Sequence, residues 1–346
     1  MRVFRTLAVS TAVLCFAAAG CSSSARPQAA ASLSSSPPTS GTPKPVRAPR
    51  VYPLTGLPVT NAATALRPAL SVKIDNVDGS FPQAGLNDAD IVADCLVEGG
   101  LTRLFATFQS RDAASIGPIR SARPVDADLL RLYGPSLFSY SGAATGEIAP
   151  TIAHGEATRL DWGVYPNYYT LNGNYISPHD VFSSTRLLYA AGRAVNPQLG
   201  PPRAVFTYSA RTPSWPSVRT ALMNISGVSN VRWNWDGHQY LRVQNGSVDR
   251  VVGGAQVSST NIVIMSIQVR GTNIVDAAGN VDPFDVVLGS GRVWVLRNGR
   301  GISGTWSRPT DASVMTLTTA TGQVIALQPG RTWIELLPTP NQPLFG

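Results

Sequence analysis

The stretch that decides the fold reads Ile91-Val-Ala-Asp-Cys-Leu-Val-Glu98, then Gly99-Gly100, then Leu101-Thr-Arg-Leu-Phe-Ala-Thr-Phe108. Two runs rich in apolar and β-branched residues are typical of neighbouring strands. Glycine readily adopts the positive φ that a two-residue hairpin turn requires. The sequence therefore predicts an antiparallel β-hairpin at 91–108.

The register of this hairpin follows from the position of its turn. With the glycine pair as the two turn residues, Glu98 lies opposite Leu101 and Arg103 lies opposite Leu96. Arg103 is then diagonal to Asp94 and Glu98, within reach of both carboxylates. We expect Asp94, Leu96 and Glu98 to share one face.

The rest of the first region, residues 51–196, mixes strand and helix signals. Ala69–Asp75 alternates and ends in polar residues, which predicts a strand. Val125–Tyr133 predicts a short helix, and Pro124 before it suits a first helical turn. Arg186–Val195 predicts a second helix. We expect a mixed α/β domain here.

A proline-rich stretch separates this region from a second one, residues 203–346, which reads as mostly β. Val205–Tyr208 is one predicted strand, and Val231–Trp235 with Tyr240–Val243 forms a predicted hairpin. The composition of Asn261–Val269 indicates a strand buried on both faces. We expect a meandering antiparallel sheet, curled into a partial barrel or sandwich. The predicted fold class of the whole chain is α+β.

The N-terminus carries the features of an export signal over residues 1–20. Arg2 and Arg5 precede an apolar run, Thr6–Ala17, that is shorter than the ~20 residues needed to span a bilayer. The small residues before Cys21 resemble the lipobox of bacterial lipoproteins, which implies acylation of that cysteine. The alternative is an ordinary cleaved signal followed by an incidental cysteine.

Residues 21–50 read as a disordered tether. They are rich in Ser, Pro, Ala and Thr and contain no acidic residue, so they cannot bury enough apolar surface to fold. The sequence thus predicts a body anchored to the cell membrane through acylated Cys21, on the extracytoplasmic face.

Charge and cysteine content narrow the function classes. The formal net charge of +8 comes almost entirely from arginine, because Lys44 and Lys73 are the only lysines. Zinc-finger spacing and a lysine-rich stripe are both missing from the sequence, so we expect no nucleic-acid partner. Cys15 falls within the signal and Cys21 is the acylation site, so Cys95 is left without a disulfide partner.

An arginine cluster is the main candidate binding site. Arg120 and Arg123 precede the predicted helix, and Arg103 is added by the hairpin. Planar guanidinium groups bind phosphate or carboxylate in a bidentate manner, which predicts an anion pocket. Glu98, diagonal to Arg103, belongs to the same candidate site. The alternative is that these arginines pair with acidic side chains and only stabilise the domain: Asp94, Glu98, Asp126 and Asp128.

Four further polar residues are candidate ligand contacts. Asp75, Asn76 and Asp90 could bind a divalent cation or a sugar, or could instead satisfy loop backbone groups. His179 could form an acid–base pair with Asp180. Cysteine and histidine residues do not occur together at metal-ligand spacing, and nucleotide-binding fingerprints are missing, so we expect no metal and no cofactor.

Several motifs, in this order along the chain, resemble the YerB-like bacterial lipoproteins: Arg67-Pro-Ala69, Lys73-Ile-Asp-Asn76, Pro82-Gln-Ala-Gly-Leu86, Ala89-Asp-Ile-Val92, Val97-Glu-Gly-Gly-Leu-Thr-Arg103, Gly117-Pro-Ile-Arg-Ser-Ala-Arg123 and Pro329-Gly-Arg-Thr-Trp-Ile334. The resemblance covers nearly all of residues 52–338. It implies two consecutive domains of unknown function on a lipid anchor, with no established activity.

Three functions are compatible with the sequence. The first is a non-catalytic envelope protein whose arginine pocket binds an anionic cell-wall polymer or a partner protein. The second is an enzyme acting on phosphate-linked cell-wall glycans or a lipid pyrophosphate, because the order of Asp90, Arg103 and the arginine-bearing loop resembles that of LytR-CpsA-Psr transferases. The third is extracytoplasmic solute binding, although the second region does not resemble a doubly wound α/β lobe.

Overall fold

The predicted hairpin lies inside a mixed β-sheet. The computed structural model describes residues 50–143, 157–275 and 279–346. Within these ranges the helices are α1 (Ala62–Leu66), α2 (Val125–Leu130) and α3 (Thr185–Val195). The strands, in chain order, are β1 (Leu70–Asp75), β2 (Ile91–Leu96), β3 (Thr102–Phe108), β4 (Ser136–Tyr140), β5 (Ala157–Asp161), β6 (Thr170–Leu171), β7 (Val181–Phe182), β8 (Thr220–Asn224), β9 (Asn230–Trp235), β10 (Tyr240–Gln244), β11 (Ser247–Val248), β12 (Ser258–Ser259), β13 (Asn261–Val275), β14 (Val281–Val286), β15 (Gly289–Arg297), β16 (Arg300–Arg308), β17 (Thr316–Thr318), β18 (Thr332–Pro338) and β19 (Leu344–Phe345).

The largest sheet has eleven strands in the order β17-β16-β15-β13-β18-β2-β3-β1-β4-β5, with β14 paired to β13. A second, antiparallel sheet has the order β11-β10-β9-β8-β19, with β12 paired to β10, and β6 pairs with β7. Strand β18 runs parallel to β2 on one side and to β13 on the other. One sheet therefore contains strands from both regions, 51–196 and 203–346.

The two faces of the large sheet support two apolar cores. Alternate strand residues such as Val92 and Leu104 pack with α3 and the second sheet, where Trp233 is fully buried. Their neighbours, such as Phe105, pack on the other face with α2 residues including Leu129. This follows from the two-residue period of a strand, which sends successive side chains to opposite faces.

Helix α3 begins at Thr185, one residue before the predicted start at Arg186, and packs closely on the sheet. The Ser184 hydroxyl accepts a hydrogen bond from the Leu187 amide (3.2 Å), which caps the first turn. Gly192 is buried against β4: a Cβ there would lie 2.4 Å from Leu137 Cδ1. Glycine at this position thus lets the helix approach the strand.

The loop of the 91–108 hairpin is one residue longer than predicted. Leu96 lies opposite Thr102, and a 3₁₀ turn over Glu98–Gly100 closes the loop. Gly99 and Gly100 do have positive φ, 67° and 75°. The hairpin itself is confirmed, but Glu98 belongs to its loop and does not pair with Leu101.

This difference moves Arg103 to the other side of the sheet. Arg103 lies opposite Cys95 rather than Leu96, and opposite Asp75 on β1. Because a shift of one residue changes which face is shared, Arg103 is not on the face of Asp94. The predicted grouping of Arg103 with Asp94 is wrong.

The second region is confirmed in part. Strands β9 and β10 form the predicted hairpin. The strand expected at Val205–Tyr208 is wrong: the segment packs Val205 into the core, but its backbone makes only an isolated bridge, Tyr208 to Leu327. An apolar run of this length marks burial without distinguishing a strand from a buried loop.

The α+β class is confirmed. The sheet in the first region is mixed, and the strands of the second region are mostly antiparallel. Strands β13 to β18 extend the mixed sheet, however, and do not close into a barrel of their own.

Candidate functional site

Asp75 is the centre of the candidate site, and it lies at the end of β1. Strand β4 pairs with β1 only as far as Val72, so the backbone of residues 117–120 occupies the remaining edge. There the amide of Asp75 donates to the Pro118 carbonyl (2.9 Å), and the amide of Arg120 donates to the Lys73 carbonyl (2.9 Å). These bonds hold the Arg120 side chain beside Asp75.

The buried carboxylate of Asp75 is shared by three nitrogen-bearing side chains. Its Oδ2 accepts from Arg120 Nε (2.9 Å) and lies 2.7 Å from His179 Nδ1. Its Oδ1 lies 3.8 Å from Arg103 Nε. Two guanidinium groups and an imidazole therefore meet a single carboxylate, and the side chains of Arg120 and His179 are 23% and 18% exposed.

Arg103 is the most buried member of this group. Its Nη1 donates to the Ser121 carbonyl (3.3 Å), while its Nε has no hydrogen-bond partner among the described residues. Burial, followed by the positive charge of Arg123, lowers the pKa of Arg103 to about 10, and Arg120 adds to this effect. The three predicted arginines thus lie close together.

Arg123 differs from the other two because carboxylates already surround it. Its Nε and Nη2 donate to Glu98 Oε2 at 2.9 and 2.7 Å, and its Nε lies 3.5 Å from Asp282. Its backbone amide donates to Asp126 Oδ2 (2.7 Å), whose other oxygen binds the fully buried Lys73 (2.7 Å). These contacts agree with the alternative in which Arg123 pairs with acidic side chains such as Glu98 and stabilises the domain.

Two buried acids on β14, Asp282 and Asp285, lie beside this network and were not predicted from the sequence. Burial raises the pKa of Asp282 to about 7, against the opposing effect of Arg123. Burial likewise raises the pKa of Asp285 to about 7, although Asp285 Oδ2 accepts from the Leu96 amide (3.0 Å).

Asn76 and Asp90 bind neighbouring polar groups of the fold. Asn76 Nδ2 donates to the Thr102 hydroxyl (2.8 Å), and its Oδ1 accepts from Gln83 Nε2 (2.9 Å). Asp90 immediately precedes β2, and its Oδ2 accepts hydrogen bonds from the amides of Gln109 (2.6 Å) and Ser110 (2.7 Å). Asp90 therefore satisfies loop backbone, which is the alternative that its position left open.

The partner of His179 is not the neighbouring Asp180 but Asp75, which lies 104 positions earlier. The loop between β6 and β7 brings the imidazole there, and its ring lies against Gly79, where a Cβ would approach within 3.3 Å of the ring. Sequence proximity gave the wrong partner because no local pattern links β1 to this loop.

A second charged cluster, on the opposite face of the sheet, was not predicted. Arg242 on β10 is fully buried and lies 2.6 Å from Asp94, 2.6 Å from Asp249 and 4.0 Å from Glu335. Burial raises the pKa of Asp94 and of Glu335. The Trp333 ring lies 4.8 Å from the guanidinium. One cation thus meets three carboxylates.

Residues 50–143, 157–275 and 279–346 contain no group of three or more His, Cys, Asp or Glu side chains arranged to hold a metal ion. In the same ranges no helix is long and apolar enough to cross a membrane. Cys95 is a buried free thiol, and burial raises its pKa well above the ordinary value. The predicted acylation site, Cys21, lies outside the described residues.

Comparison with known proteins gave consistent matches. The N-terminal domain model described as protein of unknown function (DUF3048) matches residues 54–198, and the C-terminal domain model of the same family matches residues 220–334. "Putative lipoprotein YerB" from Bacillus subtilis (strain 168) is 28% identical over 297 residues, which cover 83% of this chain and 86% of that protein.

The crystal structure of the YerB protein from Bacillus subtilis has the same fold. Its TM-score to this chain is 0.72 at 23% identity, with 85% of this chain and 99% of that chain covered. The resemblance to YerB-like proteins is thus confirmed, and the chain belongs to the DUF3048 protein family.

Proposed function

We propose that this protein is a lipid-anchored component of the cell envelope that binds an anionic ligand and performs no catalysis of its own. The binding site is the arginine pocket, defined as Arg103, Arg120, His179 and the carboxylate of Asp75. The ligand is an anionic wall polymer or an acidic partner protein on the extracytoplasmic face of the membrane. The observation that carries the proposal is the shared carboxylate.

The charge balance of the arginine pocket supports this proposal. Among the described residues, Arg103 and Arg120 share Asp75 as their one carboxylate within ion-pair distance, while Glu98 and Asp282 act on Arg103 from farther away. An uncompensated guanidinium in a partly buried place favours an anion, because the low local dielectric strengthens the attraction. The exposed fraction of Arg120 gives a ligand access to the pocket. Arg123 supports the pocket from behind through its pair with Glu98.

The anion test compares Arg120→Gln with the full chain in detergent. We expect the affinity for inorganic pyrophosphate, measured by calorimetry, to fall about tenfold, as for the loss of one charge-assisted hydrogen bond. The matched control is Arg186→Gln, at an exposed position on α3, which should bind as the wild type does. Unchanged affinity in a folded Arg120→Gln protein would contradict the pocket.

One observation favours the enzymatic alternative. A buried carboxylate that bonds Nδ1 of a histidine fixes the ring and leaves Nε2 for proton transfer, as in hydrolase triads. Hydrolysis of pyrophosphate in the same titration, abolished by His179→Gln, would favour an enzyme acting on phosphate-linked substrates. Binding without turnover favours the non-catalytic function.

The anchor has its own support and its own test. The basic, apolar and small-residue segments before Cys21 have the order of a lipoprotein signal, and the related Bacillus protein is named as a lipoprotein. Cys21→Ala removes the residue to which the acyl chains would be attached. The protein should therefore move from the membrane pellet to the soluble fraction, because stable anchoring needs those chains. Unchanged fractionation would contradict the anchor and leave the pocket untouched.

A further inference from the structure

A cavity of about 400 Å³ lies in the second region, between the segment that precedes β8 and the end of β15. Arg211 and Trp215 line it from that segment, and Arg297 lines it from the last position of β15. A volume of this size is in the range of small-molecule sites. None of the four residues of the arginine pocket lines this cavity, so the inference goes beyond the proposed function.

Arg297 supports the wall of the cavity. The residue is 1% exposed, and its Nη1 donates to the carbonyls of Ser209 (3.0 Å) and Ala326 (2.8 Å). Its Nη2 donates to the carbonyl of Arg211. These bonds tie the start of the 209–215 segment to the sheet, so the side chain of Arg211 extends from a backbone that is held in place.

The cavity carries positive charge that no carboxylate balances. Among the described residues that line it are two arginines and no acidic side chain. Burial alone lowers the pKa of Arg297, because no acidic side chain in the described ranges is near enough to raise it. An anion in the cavity would stabilise this cation without touching it, since the attraction acts over several ångströms where the dielectric is low.

Arg211 is the cation that a ligand can contact directly. The residue is exposed and lines the cavity. A guanidinium group donates two parallel hydrogen bonds to a carboxylate or a phosphate, which gives such an anion a defined orientation. The direct contact is therefore assigned to Arg211, and Arg297 adds its charge from beneath the surface.

Trp215 adds an aromatic surface beside these charges. It is half-buried, and the centroid of its ring lies 5.6 Å from the guanidinium carbon of Arg297. The open part of an indole ring is favourably covered by the C–H groups of a sugar ring. Thr212 and Ser214 are exposed on the same segment, and their hydroxyl groups both donate and accept hydrogen bonds, as those of a sugar do.

We propose that this cavity binds an anionic sugar, which is a pyranose ring that carries a carboxylate or a phosphate. The ring covers Trp215, the anionic group pairs with Arg211, and the sugar hydroxyls bond Thr212 and Ser214. The two anionic groups share this chemistry, and the probes below distinguish them.

The test uses the full chain in detergent and a ligand-observed NMR titration. Glucuronate and glucose 6-phosphate are the charged probes, glucose lacks their charge, and inorganic phosphate lacks their ring. At least one charged sugar should bind at least about tenfold more tightly than both glucose and inorganic phosphate, the ratio expected for one charge-assisted hydrogen bond. Tighter binding of glucuronate identifies a carboxylate, and tighter binding of glucose 6-phosphate identifies a phosphate.

Two outcomes of this titration would overturn the proposal. If glucose binds as tightly as the charged sugars, the arginines do not take part in recognition. If inorganic phosphate binds as tightly as the charged sugars, the ring is not recognised.

Variants of two lining residues locate the site. Arg211→Gln should weaken binding of the charged sugar about tenfold, whereas Arg219→Gln, equally exposed but outside the cavity, should leave it unchanged. Trp215→Leu should weaken it severalfold through loss of the aromatic face, and a thermal unfolding curve checks that this variant is folded. Unchanged affinity in Arg211→Gln would overturn the proposal, whatever the stability of the Trp215 variant.

Arg120→Gln separates this cavity from the arginine pocket, which also attracts anions. Affinity for the charged sugar that is retained in Arg120→Gln and reduced in Arg211→Gln supports the cavity. The reverse result would place the sugar in the arginine pocket, and would overturn this proposal while supporting the proposed function.

Discussion

The charges around Asp75 and those around Arg242 lie on opposite faces of the same sheet, and their balance is reversed. In the arginine pocket two guanidinium groups share one carboxylate, and Arg120 reaches solvent. Around Arg242 three carboxylates share one guanidinium, and all of these side chains are fully buried. In our proposal the accessible positive excess serves a ligand, whereas the sealed negative excess holds the two sheets together.

The largest effect on stability is expected for the replacement of Arg242. Arg242→Met leaves three buried carboxylates without their cation, and we expect it to lower the free energy of unfolding by about 4 kcal/mol. The same change at Arg120 should cost about 1 kcal/mol, because Arg103 and His179 still contact Asp75 and the guanidinium is partly hydrated. Urea unfolding followed by tryptophan fluorescence measures both values.

Arg232→Met is the matched control for Arg242. Arg232 lies on the adjacent strand β9 and is exposed, so its loss should change the unfolding free energy by less than about 0.5 kcal/mol. If the Arg242 and Arg120 variants were equally stable, the distinction between a sealed and an accessible cluster would be wrong.

A smaller effect is expected in the pH dependence of the unfolding free energy, through Asp285. The pKa of Asp285 is about 7 in the folded protein and about 4 in the unfolded chain, so the folded state holds the proton more tightly. Stability from this group is therefore lost as pH rises from about 4 through 7, about 3 kcal/mol between pH 5 and pH 8. Asp285→Asn should flatten the measured profile by that amount.

Asp112→Asn is the control with the opposite shift. Desolvation is the largest single effect on Asp112 and raises its pKa, but the hydrogen bond and ion pair with Arg67 together outweigh it and lower the pKa, so Asp112 titrates below this pH window. Its substitution should leave the slope between pH 5 and pH 8 as it is. A wild-type profile that Asp285→Asn does not change would show that the acids on β14 are hydrated.

Local patterns predicted the elements, while contacts between distant segments were not predictable. The alternation before Asp75 acts within a few residues, so β1 was found, and the helix predicted at Arg186–Val195 was found as α3. The hairpin register failed because Glu98 adopts a turn conformation that the glycine pair alone does not reveal. The side chains were assigned to faces by register, so Arg103 was placed with the wrong carboxylate.

The residues of the candidate site were predicted from the sequence, but which side chains contact one another was not. Arg103, Arg120 and Asp75 were all named, since charged residues at strand ends and loops stand out in a sequence. The role of His179 depends on a chain separation of 104 residues, and no periodicity carries that information. Arg242 did leave a signal: alternation in β10 places it on the same face as the buried Tyr240, and an inward arginine requires buried carboxylates.

Strand β18 has a consequence for biogenesis. It is inserted between β2 and β13, with Thr332 opposite Ile91, so the strand that completes the middle of the sheet is synthesised after both of its neighbours. Until it arrives, β2 and β13 are open edges with unpaired amides and carbonyls, which are sites for aggregation. Folding of the first region alone therefore leaves the edge of β2 unpaired, and the mixed sheet does not close strand by strand in chain order.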